Sequence, residues 1–134
     1  SMQGESNLAL LIRGMRPKLN EGEFVFTSVL DINTIDRQST LFEFKEKEGI
    51  TIVIERRKAD ELNLKYEFVA SWITLMVHSA LEAVGLTAAF SQALTKHNIS
   101  CNVVAGYYHD HIFVEVKDAA KAITVLELLS QEYS

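Results

Sequence analysis

His78-Ser79-Ala80-Leu81-Glu82-Ala83-Val84-Gly85-Leu86-Thr87 opens a stretch that ends, after a helical pattern, in Ile99-Ser100-Cys101-Asn102-Val103-Val104-Ala105-Gly106-Tyr107-Tyr108-His109-Asp110-His111. Ser79 and Glu82 have capping-box spacing, which predicts a tight helical turn. Gly85 supplies a positive-φ stop, and Thr87 is placed to cap a second helix with apolar positions Leu86, Phe90, Ala93, Leu94 and His97. Upstream, Phe68 to Val77 is a long apolar strand, fit for a central position. A strand thus empties into a glycine-containing loop whose amides and helix start suit an anion such as a carboxylate. An ordinary strand-to-helix connection would carry the same text.

Working outward, Asn98 is the expected left-handed end of that helix, and Ile99–Tyr107 with His111–Val116 forms a hairpin. Asp118 then caps a last helix with Ala119, Ala122, Ile123, Leu126 and Leu129 on one face. Before the central strand, Phe24–Val29 reads as a strand and Asp31–Thr40 as polar turn. Leu41–Lys45 and Ile50–Ile54 form a hairpin through Glu48-Gly49, and Arg56–Leu62 a short helix. Ser6 is expected to cap a short helix carrying Leu8, Leu11, Ile12 and Met15, ended by Gly14 and Pro17.

The chain repeats itself. Glu23-Phe24-Val25 returns as Glu67-Phe68-Val69, and the strand from Gly49 to Ile54 before Ala59 parallels the one from Asp110 to Val114 before Ala119. The second offset is longer by 16 positions, about the length of the helix missing from the first half. The expectation is two βαββα units, residues 2–64 with a degenerate first helix and residues 65–134. Each is one strand short, with an open edge that invites a homodimer. Trp72 and Met76 are candidates for burial between units or chains.

The text Trp72-Ile73-Thr74-Leu75-Met76-Val77-His78-Ser79, Leu81-Glu82-Ala83-Val84-Gly85-Leu86-Thr87-Ala88, and Ile99 through Val114 resembles tandem ACT domains. Those are small ligand-binding modules of amino-acid metabolism. The resemblance is closest to a stand-alone group related to the arginine-sensing ACT proteins of animals. It spans roughly residues 66 to 130, and the first half, with Phe24-Val25-Phe26-Thr27-Ser28-Val29, is looser. It implies an α+β fold of two ferredoxin-like units with antiparallel sheets. It also implies amino-acid binding where two units meet, with the carboxylate on amides of the first strand-to-helix loop. Carried onto this chain, the ligand-binding set is His78, Ser79, Val84, Gly85, Leu86 and Thr87, with Asn102 and Val103 on the following strand. His111, which alternates onto the face of Phe113 and Glu115, is added from its own position as a hydrogen-bonded structural or ligand-facing histidine.

Other chemistries find less support. Net charge is −5 over 134 residues with no basic run, so nucleic-acid binding lacks its electrostatic footprint. Tyr107, Tyr108 and Phe113 resemble the aromatic strands of an RNA-binding sheet, but their charged neighbours are Asp110 and Glu115 rather than basic residues. His109, Asp110 and His111 sit in a hairpin turn, where Asp110 is a good turn residue and a metal would need further ligands from elsewhere. Ser79 beside His78 lacks the register of a nucleophile and its base, so neither catalysis nor a cofactor is expected. The one cysteine, Cys101, fits a buried thiol in a reducing cytoplasm. Phe68–Val77 is too short to span a bilayer, and Leu8–Ile12 lacks the leader of a signal peptide. The sequence therefore reads as a non-catalytic amino-acid-binding regulatory protein; it does not name the protein that would be regulated. The competing reading is a structural protein–protein interaction module with no small ligand.

Overall fold

The computed structural model describes residues 2–77 and 85–133, with side chains from Asn7 onward. The capping-box turn expected at Ser79 and Glu82 lies outside them. The elements are α1 (Met2–Gly14), β1 (Arg16–Leu19), β2 (Phe24–Val29), β3 (Thr40–Lys45), β4 (Ile50–Glu55) and α2 (Arg56–Glu61). There follow β5 (Val69–Met76), α3 (Leu86–Lys96), β6 (Cys101–Ala105), β7 (Asp110–Glu115) and α4 (Ala119–Glu132). They form two compact units, Glu21–Ser71 and the pair of segments Ser1–Asn20 and Trp72–Ser134. The fold is α+β, with antiparallel ferredoxin-like pairing in each.

In the unit Glu21–Ser71, β4 lies between β2 and β3 and is antiparallel to both. Strands β2 and β3 therefore run parallel across it, the split arrangement of a strand–crossover–strand unit. The crossover is reduced to two 3-10 turns, Ile32–Thr34 and Arg37–Ser39, each begun by an aspartate. The Asp31 and Asp36 carboxylates accept from the amides of Asn33 and Gln38. Such local bonds favour turns over a full helix, which explains the degenerate half. Val25, Ile35, Ile52, Ile54 and Ala59 form this unit's core. On the other sheet face, Phe26 meets Phe42 edge-on at 6.1 Å and Phe68 at 5.9 Å. Residues Val69 and Ala70 of β5 pair with Val25 and Phe24, so this unit has a fourth strand.

The second unit also has one, and it comes from the start of the chain. Strand β1 pairs antiparallel with β5, Arg16 opposite Met76 and Leu19 opposite Ile73. Strand β7 borders β5 on its other side and β6 pairs with β7. The expectation that each unit lacks a strand is therefore corrected: four residues containing Pro17 carry too little strand pattern to be seen in sequence. Helix α1 packs with this unit: Ile12 and Met15 lie fully buried with Ile73, Leu75, Phe90, Leu94 and Ile112. Helix α1 starts at Met2, so Ser6 stands inside it rather than capping it.

A polar clasp fixes α1 against α4. The Arg16 guanidinium donates to the carbonyls of Arg13 and Met15 at 2.8 and 2.9 Å and to Ser130 Oγ at 2.9 Å. Ser130 in turn donates to the Arg13 carbonyl at 2.8 Å. A cation at a helix C-terminus answers the carbonyls left over there. In α3, Leu86, Phe90 and Leu94 are buried, but His97 is exposed past the helix end, its ring Nδ1 lying 3.0 Å from the Ala93 carbonyl. Asn98 takes the expected left-handed conformation. Asp118 precedes α4 as expected, yet its side chain makes no cap bond because Val116–Asp118 forms a 3-10 turn. Among the described residues, no helix is long and apolar enough to cross a membrane.

Ile12→Ala should cost about 2–5 kcal/mol, since Ile12 is completely buried among the sheet and helices of the second unit. Urea unfolding checks this; a cost below about 1 kcal/mol would mean that α1 is not part of that core.

Candidate functional site

The end of β5 and the start of α3 frame the candidate site. Gly85 sits at φ 91°, and its carbonyl accepts the Ala89 amide at 2.9 Å, so helical bonding begins there. Glycine is required at this angle, and an added Cβ would also meet Leu8 of α1 at 3.0 Å. Thr87 thus lies inside the first turn of the helix rather than capping it: Gly85 takes that place, and no described side chain bonds to this helix start. The Leu86 side chain is buried in the core, leaving only its amide for a ligand, while Thr87 is exposed. His78, Ser79 and Val84 lie outside the described residues.

The β6–β7 turn reaches the same end of the sheet. His109 Nδ1 is 3.4 Å from the Val77 carbonyl, at the point where β5 finishes. Gly106 donates its amide to the His109 carbonyl at 2.9 Å, closing the turn. Burial pushes the Asp110 carboxyl up from its ordinary value, opposed by His111 and His109. Asn102 and Val103 are farther off, in the middle of β6, roughly 10 Å along the strand from the turn. Asn102 lies opposite Phe113 and Val103 opposite Ile112, so their side chains take opposite faces. The loop and the turn converge; the Asn102-Val103 pair shares with them only its edge strand.

His111 belongs to a cluster that crosses the sheet face away from the helices. Its Nδ1 receives the Trp72 Nε1–H at 3.0 Å and lies 3.1 Å from Thr74 Oγ1. Asn20, just past β1, donates to Thr74 Oγ1 at 3.0 Å and to the Trp72 carbonyl at 3.2 Å. Sequence reasoning misses Asn20, because β1 is not visible there. The alternation of Trp72 and Thr74 along β5 is the signal that links them to His111.

Elsewhere the described residues offer other chemistry. A groove of about 770 Å³ in the unit Glu21–Ser71 is rimmed by Glu21, Glu23, Glu55, Asp60 and Glu61. Its Arg56 is already held by Glu23 at 3.0 Å and by the Tyr66 hydroxyl at 3.1 Å, which, with Tyr66 first, raise its guanidinium pKa further. Arg57, also on the rim, lies 3.7 Å from Glu55, so acidic groups outnumber basic ones there and disfavour a carboxylate. Cys101 is half-buried, and burial raises its thiol pKa, so it is a poor nucleophile. Among the described residues, no three His, Cys, Asp or Glu side chains group to hold a metal.

An ACT-domain family model matches residues 3–71, and a second ACT-domain model matches residues 67–127. ACT domains are regulatory modules that in general bind small molecules. A Vibrio cholerae protein of unknown function, described as a possible transport protein, is 43% identical over 96% of this chain and 99% of its own, with a TM-score of 0.85. The regulatory subunit of aspartate kinase from Thermus thermophilus is 8% identical, with 86% of this chain and 95% of that one covered and a TM-score of 0.58. Clostridium acetobutylicum aspartate kinase is 14% identical over 87% of this chain and 34% of its own, with a TM-score of 0.59. Those last two likenesses are of fold. No curated protein matches the chain.

Gly106→Ala should destabilise by about 1–3 kcal/mol, because its Cβ would stand 2.9 Å from the His109 carbonyl oxygen and 3.2 Å from His111 Nε2. Thermal unfolding of the variant measures this, and an unchanged melting point would show that the turn is looser than described.

Proposed function

Because the chain belongs to the ACT-domain family, we propose that it is a non-catalytic regulatory protein that binds a small amino-acid-like ligand by its carboxylate. The observation that carries the reading is the positive-φ Gly85 directly before α3, an eleven-residue helix whose start is capped by no described side chain. The first amides of a helix have no intrahelical acceptor, and their dipoles favour a negative group. In this reading Gly85, Leu86 and Thr87 present amides, and His78, Ser79 and Val84 complete the loop around the ligand. The β6–β7 turn, near His111, forms the neighbouring wall. Asn102 and Val103, both exposed on the edge strand β6, would contribute from a second copy rather than from beside the loop.

A homodimer is the assembly that fits. Its support is the edge position of β6 together with the exposure of Val103 and Met76, and no longer a missing strand. Function in a reducing compartment suits the lone Cys101.

Melting curves with each common amino acid test the ligand. A true ligand at a hundredfold excess over its Kd adds about 2.7 kcal/mol to the folded state. Gly85→Val should remove that response while costing about 1–3 kcal/mol by itself through backbone strain. If no amino acid moves the melting point, the chain is a protein-interaction module; if Gly85→Val still responds, the site is elsewhere. Light scattering at micromolar concentration should return twice the 15.1 kDa chain mass. A single-chain mass would rule out the dimer and with it the role of Asn102 and Val103.

A further inference from the structure

The indole N–H of Trp72 can only donate, so its 3.0 Å bond to His111 Nδ1 requires a lone pair on that nitrogen. His111 is then neutral, with its proton on Nε2. Thr74 Oγ1, which accepts from Asn20 Nδ2, lies 3.1 Å from the same Nδ1, and its hydroxyl shares the one lone pair there with the indole N–H as the second arm of a three-centre bond. The bonds thus run from Asn20 through Thr74 to His111, and from Trp72 to His111, tying the end of β1, β5 and β7 together.

We propose that His111 is a proton switch on this sheet face, which on acidification releases Trp72 and re-pairs with Thr74. A proton on Nδ1 sets two N–H donors against one another at the Trp72 contact, and that bond is lost. The Thr74 hydroxyl rotates, and its oxygen accepts from the new Nδ1–H. Trp72, whose ring centroid is 5.7 Å from the imidazole at a tilt of 48°, loses this polar anchor.

The surroundings hold His111 neutral. Burial lowers its pKa most, His109 lowers it further, and Asp110 pulls the other way. Along β7, Glu115 stands on the same face, two pleats away. Strand β5 carries no charged residue, and β6 opposes His111 with Val104. On β1, Lys18 lies opposite Thr74 on the same face, while Arg16, opposite Met76, turns its guanidinium to Ser130 of α4. Gly106 fits against the ring, where a Cβ would come within 3.2 Å of Nε2.

The sign follows. A histidine whose folded pKa lies below its ordinary 6.5 contributes stability that is complete above about pH 6.5 and is lost as pH falls toward the lowered value. The switch is therefore closed at neutral pH and opens in mild acid.

The protein has one tryptophan, so native fluorescence reads the switch directly. From pH 8 to pH 4.5 the emission of the folded chain should pass through one titration with a midpoint below pH 6.5, with circular dichroism unchanged across it. His111→Gln, which retains an acceptor for the indole but has no proton to gain, should abolish the step. Nitrogen shifts of the histidine rings at pH 8 should show His111 with its proton on Nε2, a reading that does not depend on any variant folding. A flat emission profile, a step that survives in His111→Gln with the same midpoint, or an Nδ1-protonated His111 at pH 8 would each overturn the proposal.

Discussion

The pairing of β1 with β5 is the interaction on which the second unit depends. It gives the central strand a neighbour on the edge that β7 does not cover, and buried backbone amides there need such a partner. It also draws α1 down, so that Ile12 and Met15 close the core beneath Ile73 and Leu75. Asn20, one residue past β1, then reaches Trp72 and Thr74, which hold His111. Remove the pairing and the core, the sheet edge and the polar cluster all lose a component contributed by the first twenty residues.

The consequence for chain organisation is that one compact unit is interrupted in sequence by the other. The segment Glu21–Ser71 is compact by itself, while the other unit is drawn from both ends of the chain. Strand β5 serves both, giving Val69 and Ala70 to β2 and Ile73–Met76 to β1. Each unit therefore completes four strands without a second chain. Any dimer must rest on the remaining edges or on the sheet faces, not on an unfilled strand position.

Most of this fold is legible in the sequence because its strands are long and strongly patterned. Phe24–Val29 is evident to the residue, and the hairpin around Gly49 follows from turn chemistry. The second hairpin is legible, but its turn runs from Gly106 to His109, with Asp110 and His111 already in β7 rather than in the turn. The helix that the first half lacks is visible as a shorter spacing between repeated motifs. What escapes is short or non-local. Strand β1 has four residues and a proline, and its place is set by a partner more than fifty positions away. Ser6 and Thr87 have cap chemistry but stand within helices begun earlier by Met2 and Gly85, so local propensity gives way to tertiary packing. Of the candidate site, Gly85 is recognisable from its conformation alone. The Trp72–His111 bond is not, since adjacency across a sheet is no property of either residue's own segment.

Native-state amide exchange measures the dependence on β1 most directly. The Asn20 amide donates to the Trp72 carbonyl at 2.9 Å, and Lys18 lies opposite Thr74 in the same ladder. The account predicts that the Lys18 and Asn20 amides exchange only by the opening that also exposes Ile73 and Leu75, with matching free energies. Exchange of Lys18 and Asn20 at the rate of an unstructured leader, while Ile73 and Leu75 stay protected, would contradict it.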